Sequence, residues 1–128
     1  MAKFRLIVNP LPPGDEEFVD VPPANPSPGD ELLLVERQLL HPKSGKLVGR
    51  FNARLTFLRI SGGGVLFSGS ADHQLKKGVI CTQGSFWSDQ TESVFAITGG
   101  TGKYRRARGT LTLRSVPSKP EEFTYRVL

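Results

Sequence analysis

The residues whose types could carry chemistry are few and scattered along the chain. Thr98-Gly99-Gly100-Thr101-Gly102-Lys103 has the glycine content of a phosphate cradle, but a P-loop needs Gly, four spacers, then Gly-Lys-Ser/Thr opening a helix. Ile97 and Tyr104 occupy the two positions that this spacing tests, and a strand pattern follows. Three glycines in four positions therefore read as a tight turn between strands. Lys103, Arg105, Arg106 and Arg108 surround Tyr104, a mixture that can hold single-stranded nucleic acid. Alternation weakens the cluster, because Arg106 and Arg108 share a face away from Ala107 and Gly109. His41 and His73 have no Cys, Glu or His at ligand spacing, so no metal is expected. Cys81 lies in a strand with no activating base in view, and no Gly-x-Ser-x-Gly elbow exists.

Arg37 is the ionic group left over. Leu33, Val35, Arg37 and Leu39 share one face of their segment, while Leu32, Leu34, Glu36 and Gln38 share the other. If Leu33 and Val35 point inward, Arg37 follows them, and an inward guanidinium must be paired or must meet a ligand oxygen. Asp72 is the candidate partner. The alternative leaves Arg37 and Glu36 near the rim, in solvent.

The elements that would position these groups are strands. Period-two alternation marks eight of them: Phe4 to Asn9, Glu31 to His41, Gly49 to Ile60, Val65 to Leu75, Val79 to Trp87, Glu92 to Thr98, Arg106 to Val116 and Phe123 to Leu128. The cleanest places Phe51, Ala53, Leu55 and Phe57 on one face, with Arg50, Asn52, Arg54 and Thr56 on the other. Eight evenly spaced strands with short turns predict an all-β fold, an eight-stranded antiparallel barrel or a sandwich. A closed barrel of that size either fills with side chains or holds one small ligand. Ala53, Gly69, Gly84 and Gly109 would leave room inside, although a strand glycine can equally mark a bulge or a corner.

Seven of the ten prolines fall between Pro10 and Pro28. Proline lacks the donor that a ladder needs, so residues 10–29 are expected to cross the surface as an extended arm, a lid over a cavity mouth or a connector. With 128 residues, 38% of them apolar, and a single Cys, the chain reads as one domain, 1–128, able to hold a core without disulfides. No run is long enough for a signal h-region or a membrane span, which reads as cytoplasmic. The net charge of +5 conceals an acidic N-terminal third and a basic remainder. Such a field can attract polyanions, but nucleic acid is not the expected partner.

The run Gln83-Gly84, then Phe95-Ala96-Ile97-Thr98-Gly99-Gly100-Thr101-Gly102-Lys103-Tyr104, then Ala107-Arg108-Gly109, ending in Phe123-Thr124-Tyr125, resembles the allene oxide cyclase and dirigent superfamily over roughly residues 28–128. The resemblance implies an eight-stranded antiparallel barrel with an apolar cavity, usually in a homodimer or larger homo-oligomer, that steers cyclisation or coupling without a cofactor. The pocket residues of plant allene oxide cyclases would fall near Ile7 and at Arg37, Leu55 and Phe86, where this chain has other residue types. Asp72 and Leu75-Lys-Lys-Gly-Val-Ile80 followed by Gly84 are similar to a third branch, the bacterial spirotetronate cyclases, which fold a linear polyketide for intramolecular [4+2] cycloaddition.

On that resemblance the expected function is a cofactor-free cyclase of natural-product (polyketide) biosynthesis that folds a linear, hydrophobic small molecule in the barrel for intramolecular [4+2] cycloaddition. The competing expectations are an allene oxide cyclase-type isomerase and a dirigent-like barrel that only binds or carries a hydrophobic metabolite. The expected cavity walls are Leu33, Val35, Phe51, Leu55, Phe57, Leu66, Phe86, Trp87 and Phe95. Arg37 is the expected donor to a reacting carbonyl, and Tyr104 the second candidate.

Overall fold

The computed structural model describes residues 2–10, 15–19 and 26–128. It is a closed antiparallel barrel of eight strands with one strand added to its edge. The strands are β1 (Ala2–Val8), β2 (Asp15–Val19), β3 (Glu31–Leu40), β4 (Leu47–Ser61), β5 (Gly64–Leu75), β6 (Gly78–Trp87), β7 (Glu92–Gly100), β8 (Gly109–Arg114) and β9 (Glu122–Val127). Among the described residues no helix is long and apolar enough to cross a membrane.

All-β architecture and the eight barrel strands match the alternation in the sequence, with two differences. The stretch before β8 begins late, because Gly102–Tyr104 forms a 3-10 turn and the chain turns back onto the barrel only at Gly109. Gly102 has φ +60, and a Cβ there would press on the Lys77 carbonyl, so the glycine-rich motif serves a close inter-strand turn. The second difference is β2, which lies inside the proline-rich arm. It pairs with β3 from Asp15↔Val35 to Val19↔Glu31. A strand survives there because Asp15–Val19 contains no proline and needs to hydrogen-bond on one edge only. The arm's remaining stretches, 11–14 and 20–25, lie outside the described residues.

Closure is made by β1. It pairs along its length with β9, from Ala2↔Val127 to Ile7↔Glu122, and its end meets β3 at Ile7↔Leu40 and Val8↔Leu39. The interior then divides. Leu39, Val8, Ile80, Ile97, Ala107, Leu111, Tyr125 and Val127 are buried and plug one end as a continuous core. At the other end the inward positions of β4 and β5 are small, Ala53, Gly69 and Ala71, and there the barrel stays hollow. A Cβ on Gly69 would strike the Arg54 carbonyl, so this glycine permits close strand approach beside the hollow, and the register runs through it with no bulge.

One irregularity decides which way β3 faces. Leu34 pairs with Ala53, but the next pair is Arg37 with Phe51, so Val35 and Glu36 together oppose Asn52. This is a β-bulge. Glu36 has φ +51, and its N–H donates to Asn52 Oδ1 at 2.7 Å, while Asn52 Nδ2 donates to Asp72 Oδ2 at 3.1 Å. The extra residue flips the alternation, so Leu32 and Leu34 point inward before the bulge and Arg37 and Leu39 point inward after it. Leu33 and Val35 are therefore on the outside, Val35 at 39% exposure, against the uninterrupted alternation assumed from sequence. Asp72 is occupied on the outer face, accepting also from Gln74 Nε2 at 3.0 Å, and is not the partner of Arg37.

A left-handed backbone angle costs a residue with a Cβ about 1–2 kcal/mol. Glu36→Gly is expected to hold or raise stability by up to about 1 kcal/mol, whereas Glu36→Ile is expected to lower it by more than about 1 kcal/mol. Urea unfolding of the two variants measures the difference.

Candidate functional site

The hollow end encloses about 320 Å³ and opens to solvent on one side, at the small end of the ~300–1,000 Å³ typical of ligand pockets. Its walls are aromatic and aliphatic: Phe51, Phe67, Phe86, Trp87, Phe95 and Phe123, with Leu32, Leu34, Leu55, Leu111 and Leu113. Each ring comes from an inward position of a different strand pairing or from a strand end, and the rings brace one another. Phe86 sits 5.4 Å from Phe67 and 5.2 Å edge-on from Phe95, and Phe51 lies 5.2 Å edge-on from Phe123, distances at which aromatic pairs add to plain burial.

Of the residues expected from sequence to form this wall, Phe51, Leu55, Phe86, Trp87 and Phe95 line it, and Arg37 lines it as the polar candidate. Leu33 and Val35 do not, because of the bulge. Leu66 alternates with the inward Phe67 and so takes the other face. Phe57 is buried one ring behind the wall, 4.8 Å from Phe67 and 5.4 Å from Phe18. Tyr104 packs against the plugged end and does not reach the cavity. The basic side chains around it are exposed, with Arg108 Nη1 donating to the Ala107 carbonyl at 2.8 Å.

Charged groups enter the cavity at its mouth and a buried polar chain lies at its floor, while the neutral side chains of Ser70, Gln83, Ser88, Gln90, Ser93 and Ser115 also line it. At the mouth, Arg37 is 17% exposed and its Nη1 lies 3.4 Å from Glu16 Oε2 on β2, while Glu121, immediately before β9, lines the same mouth. At the floor, fully buried His73 joins Tyr125 Oη at 2.8 Å through Nδ1 and Thr82 Oγ1 at 3.2 Å through Nε2. Burial lowers the His73 pKa from 6.5 to about 4, with only partial compensation from Asp72, so the ring is neutral at pH 7. Burial likewise raises the Tyr125 hydroxyl pKa, which keeps it a donor. Because that hydroxyl has no other hydrogen-bond partner among the described residues, the tautomer that satisfies it carries its proton on Nε2. In this arrangement Tyr125 donates to Nδ1, Nε2–H donates to Thr82, and the Thr82 O–H is left to face the cavity.

His73, Thr82, Glu16 and Glu121 were missed in the sequence as site residues. Gly69, Ala71 and His73 share a face by simple alternation, as do Glu121, Phe123 and Tyr125, so the positional signal existed. The interaction that binds them did not, since Tyr125 is 52 residues from His73. No group of three His, Cys, Asp or Glu among the described residues is arranged to hold a metal.

No protein-family model matches the sequence, and no curated protein matches it. Solved structures do. A pyocyanin demethylase superposes with a TM-score of 0.83 at 22% identity, over 99% of this chain and 100% of that one. AbnU, an exo-specific intermolecular Diels-Alderase, gives 0.69 at 23% identity, over 98% and 96%. A pterocarpan synthase dirigent protein gives 0.67 at 19% identity, over 98% and 92%.

The neutral buried His73 makes stability depend on pH. Its folded pKa is below its unfolded one, so its contribution is complete above pH 6.5 and is lost as pH falls toward 4. Relative to a His73→Gln variant, the protein is expected to lose about 3 kcal/mol between pH 7 and pH 4, read from urea unfolding at the two pH values. With its aromatic hollow at one end and its plugged core at the other, the chain has the barrel fold shared by these Diels-Alderases, dirigent proteins and the demethylase.

Proposed function

We propose that this barrel is a cyclase that folds an apolar, reactive guest in its cavity for [4+2] cycloaddition. The observation that carries the reading is the pairing of an aromatic, half-open hollow with a single inward guanidinium, Arg37. A pericyclic step transfers no obligatory proton, so positioning diene and dienophile supplies most of the help. Arg37 lies where it can donate to a dienophile carbonyl as charge develops on its oxygen. The Thr82 hydroxyl offers a second, neutral point of contact at the floor. A volume of about 320 Å³ suits a compact guest, or the reacting segment of a longer polyketide whose remainder stays at the mouth. Within the arm, β2 carries Glu16 to the mouth. The likeness to AbnU over nearly the whole of both chains supports this choice.

A second reading, demethylation of a pyocyanin-like substrate, draws its support from the TM-score of 0.83 with both chains covered end to end. A binding barrel of the dirigent kind would use the same hollow without catalysing anything.

The three separate in one set of incubations. A linear compound carrying a conjugated diene and an α,β-unsaturated carbonyl is followed with and without protein. The cyclase reading expects faster conversion to a single stereoisomer. Tight binding with unchanged rate and isomer ratio would leave a carrier, and loss of a methyl group from pyocyanin in a parallel incubation would favour demethylation. Arg37→Leu is expected to slow the cycloaddition by roughly 10²-fold, the scale of losing one oxyanion donor, with the fold retained. Phe86→Ala is expected to loosen stereoselectivity and to cost up to about 3 kcal/mol, the low end for a buried Phe because this ring borders the hollow and is only partly buried. Product analysis and urea unfolding check the two effects.

A further inference from the structure

The mouth holds two carboxylates that cycloaddition leaves unused, Glu16, which is paired with Arg37, and Glu121. The Glu121 carbonyl accepts the Val8 N–H at 2.9 Å, which fixes its backbone opposite the end of β1. Alternation with Phe123 and Tyr125 then turns its side chain into the hollow, where it lines the mouth beside Arg37 and Glu16. The residue stays open to entering molecules. Desolvation of its carboxyl raises the pKa, Arg37 opposes that, and Glu16 adds to it. Those two are the charged groups that face it, from β3 and β2. Its neighbour Glu122 turns the other way, 3.4 Å from Arg5.

A carboxylate held above its ordinary range is a stronger base than one in water, and the guanidinium beside it is where a newly formed anion would be held. An anionic guest gains little here, because Arg37 is already engaged by Glu16 and flanked by a second carboxylate. We propose that Glu121 is the proton-accepting residue of this cavity, with Arg37 holding the resulting oxyanion, and that the guest is a neutral, unsaturated ketone with an acidic C–H next to or vinylogous to its carbonyl. The proposal rests on the cyclase reading and deepens it. The C–H bond breaks, its electron pair enters the conjugated system, the charge settles on the carbonyl oxygen against Arg37, and the proton passes to a Glu121 oxygen. The dienolate so formed is an electron-rich diene, and it closes the ring by forming two C–C bonds to an alkene carried on the same guest, whose π bond breaks. After ring closure the proton returns from Glu121 to the product enolate, and no oxidant or reductant is consumed.

The test uses the full chain and 2-tetralone, a neutral β,γ-unsaturated aryl ketone whose acidic C1–H lies between ring and carbonyl, in deuterium oxide. Loss of its C1 proton signal is followed by NMR, and binding is followed through the ring protons of the cavity phenylalanines. Wild-type protein is expected to speed exchange above buffer, at least tenfold more than Glu121→Gln or Arg37→Leu does. The rate should rise with pH through a midpoint above the ordinary glutamate range. In parallel, the Glu121 carboxyl resonance, identified by its disappearance in Glu121→Gln, is titrated in carbon-13-labelled protein. Bound 2-tetralone that exchanges only at the buffer rate, equal exchange by Glu121→Gln, or a Glu121 midpoint no higher than that of the other glutamates would each overturn the proposal. Failure of 2-tetralone to bind overturns the guest class, while failure of the diene compound to bind as well overturns the cavity reading itself.

Discussion

β3 has one free edge and two strands to satisfy it. β4 occupies one side, and on the other β2 takes the first half, Glu31 to Val35, while β1 takes only Leu39 and Leu40. Barrel closure therefore rests on a short join, reinforced by the Asn9 N–H donating to the Gln38 carbonyl at 3.0 Å and by Asn9 Nδ2 donating to Gln38 Oε1 at 3.0 Å. Where the two strands diverge, the edge of β3 around Glu36 and Arg37 is paired to neither in the ladder. Full pairing at this point would seal the wall. The fork instead leaves a seam in which side chains from three elements meet, and those side chains are Glu16, Arg37 and Glu121.

The bulge makes the seam chemically useful. A regular β3 would present Leu32, Leu34, Glu36 and Gln38 to the interior, putting a carboxylate and an amide against the plugged core and sending Arg37 and Leu39 outward. The extra residue preserves the leucines of the hollow end and also delivers Leu39, fully buried, to the plug. Arg37 is carried inward between them. The left-handed angle at Glu36 is held by the Asn52 amide, which is itself held by Asp72. An outer-face polar chain thus sets the direction of an inner-face cation, and burying Leu39 offsets the cost of the strained residue.

The eight barrel strands were legible because alternation over 6 to 15 residues is a strong local signal, and because the Gly and Pro breaks between most runs are visible in the sequence. Phe51, Ala53 and Leu55 follow directly from the uninterrupted pattern of β4. The inward set of β3 was not legible, since a bulge shifts facing by one residue and no glycine marks it here: the residue with positive φ is a glutamate. β2 was hidden by the prolines on either side of a proline-free pentapeptide. The pairings of His73 with Tyr125 and of Arg37 with Glu16 join residues far apart in sequence, and only closure brings them together.

Closure also gives the cavity a direction. Its floor ends in a neutral chain, Tyr125 to His73 to Thr82, that offers one hydroxyl, while its mouth carries every formal charge that lines the hollow at neutral pH. Charge at the floor would be costly, because water cannot reach a group packed between Phe51, Phe123 and Tyr125. At the mouth, solvent and the neighbouring carboxylates moderate the same cost. On the proposed reading, a guest with an apolar body and one strongly polar end would be bound body first, its polar end left against Arg37. Any reaction that develops negative charge must develop it at that end, which makes the mouth, rather than the deeper and better-packed floor, the place where substitutions should change rates.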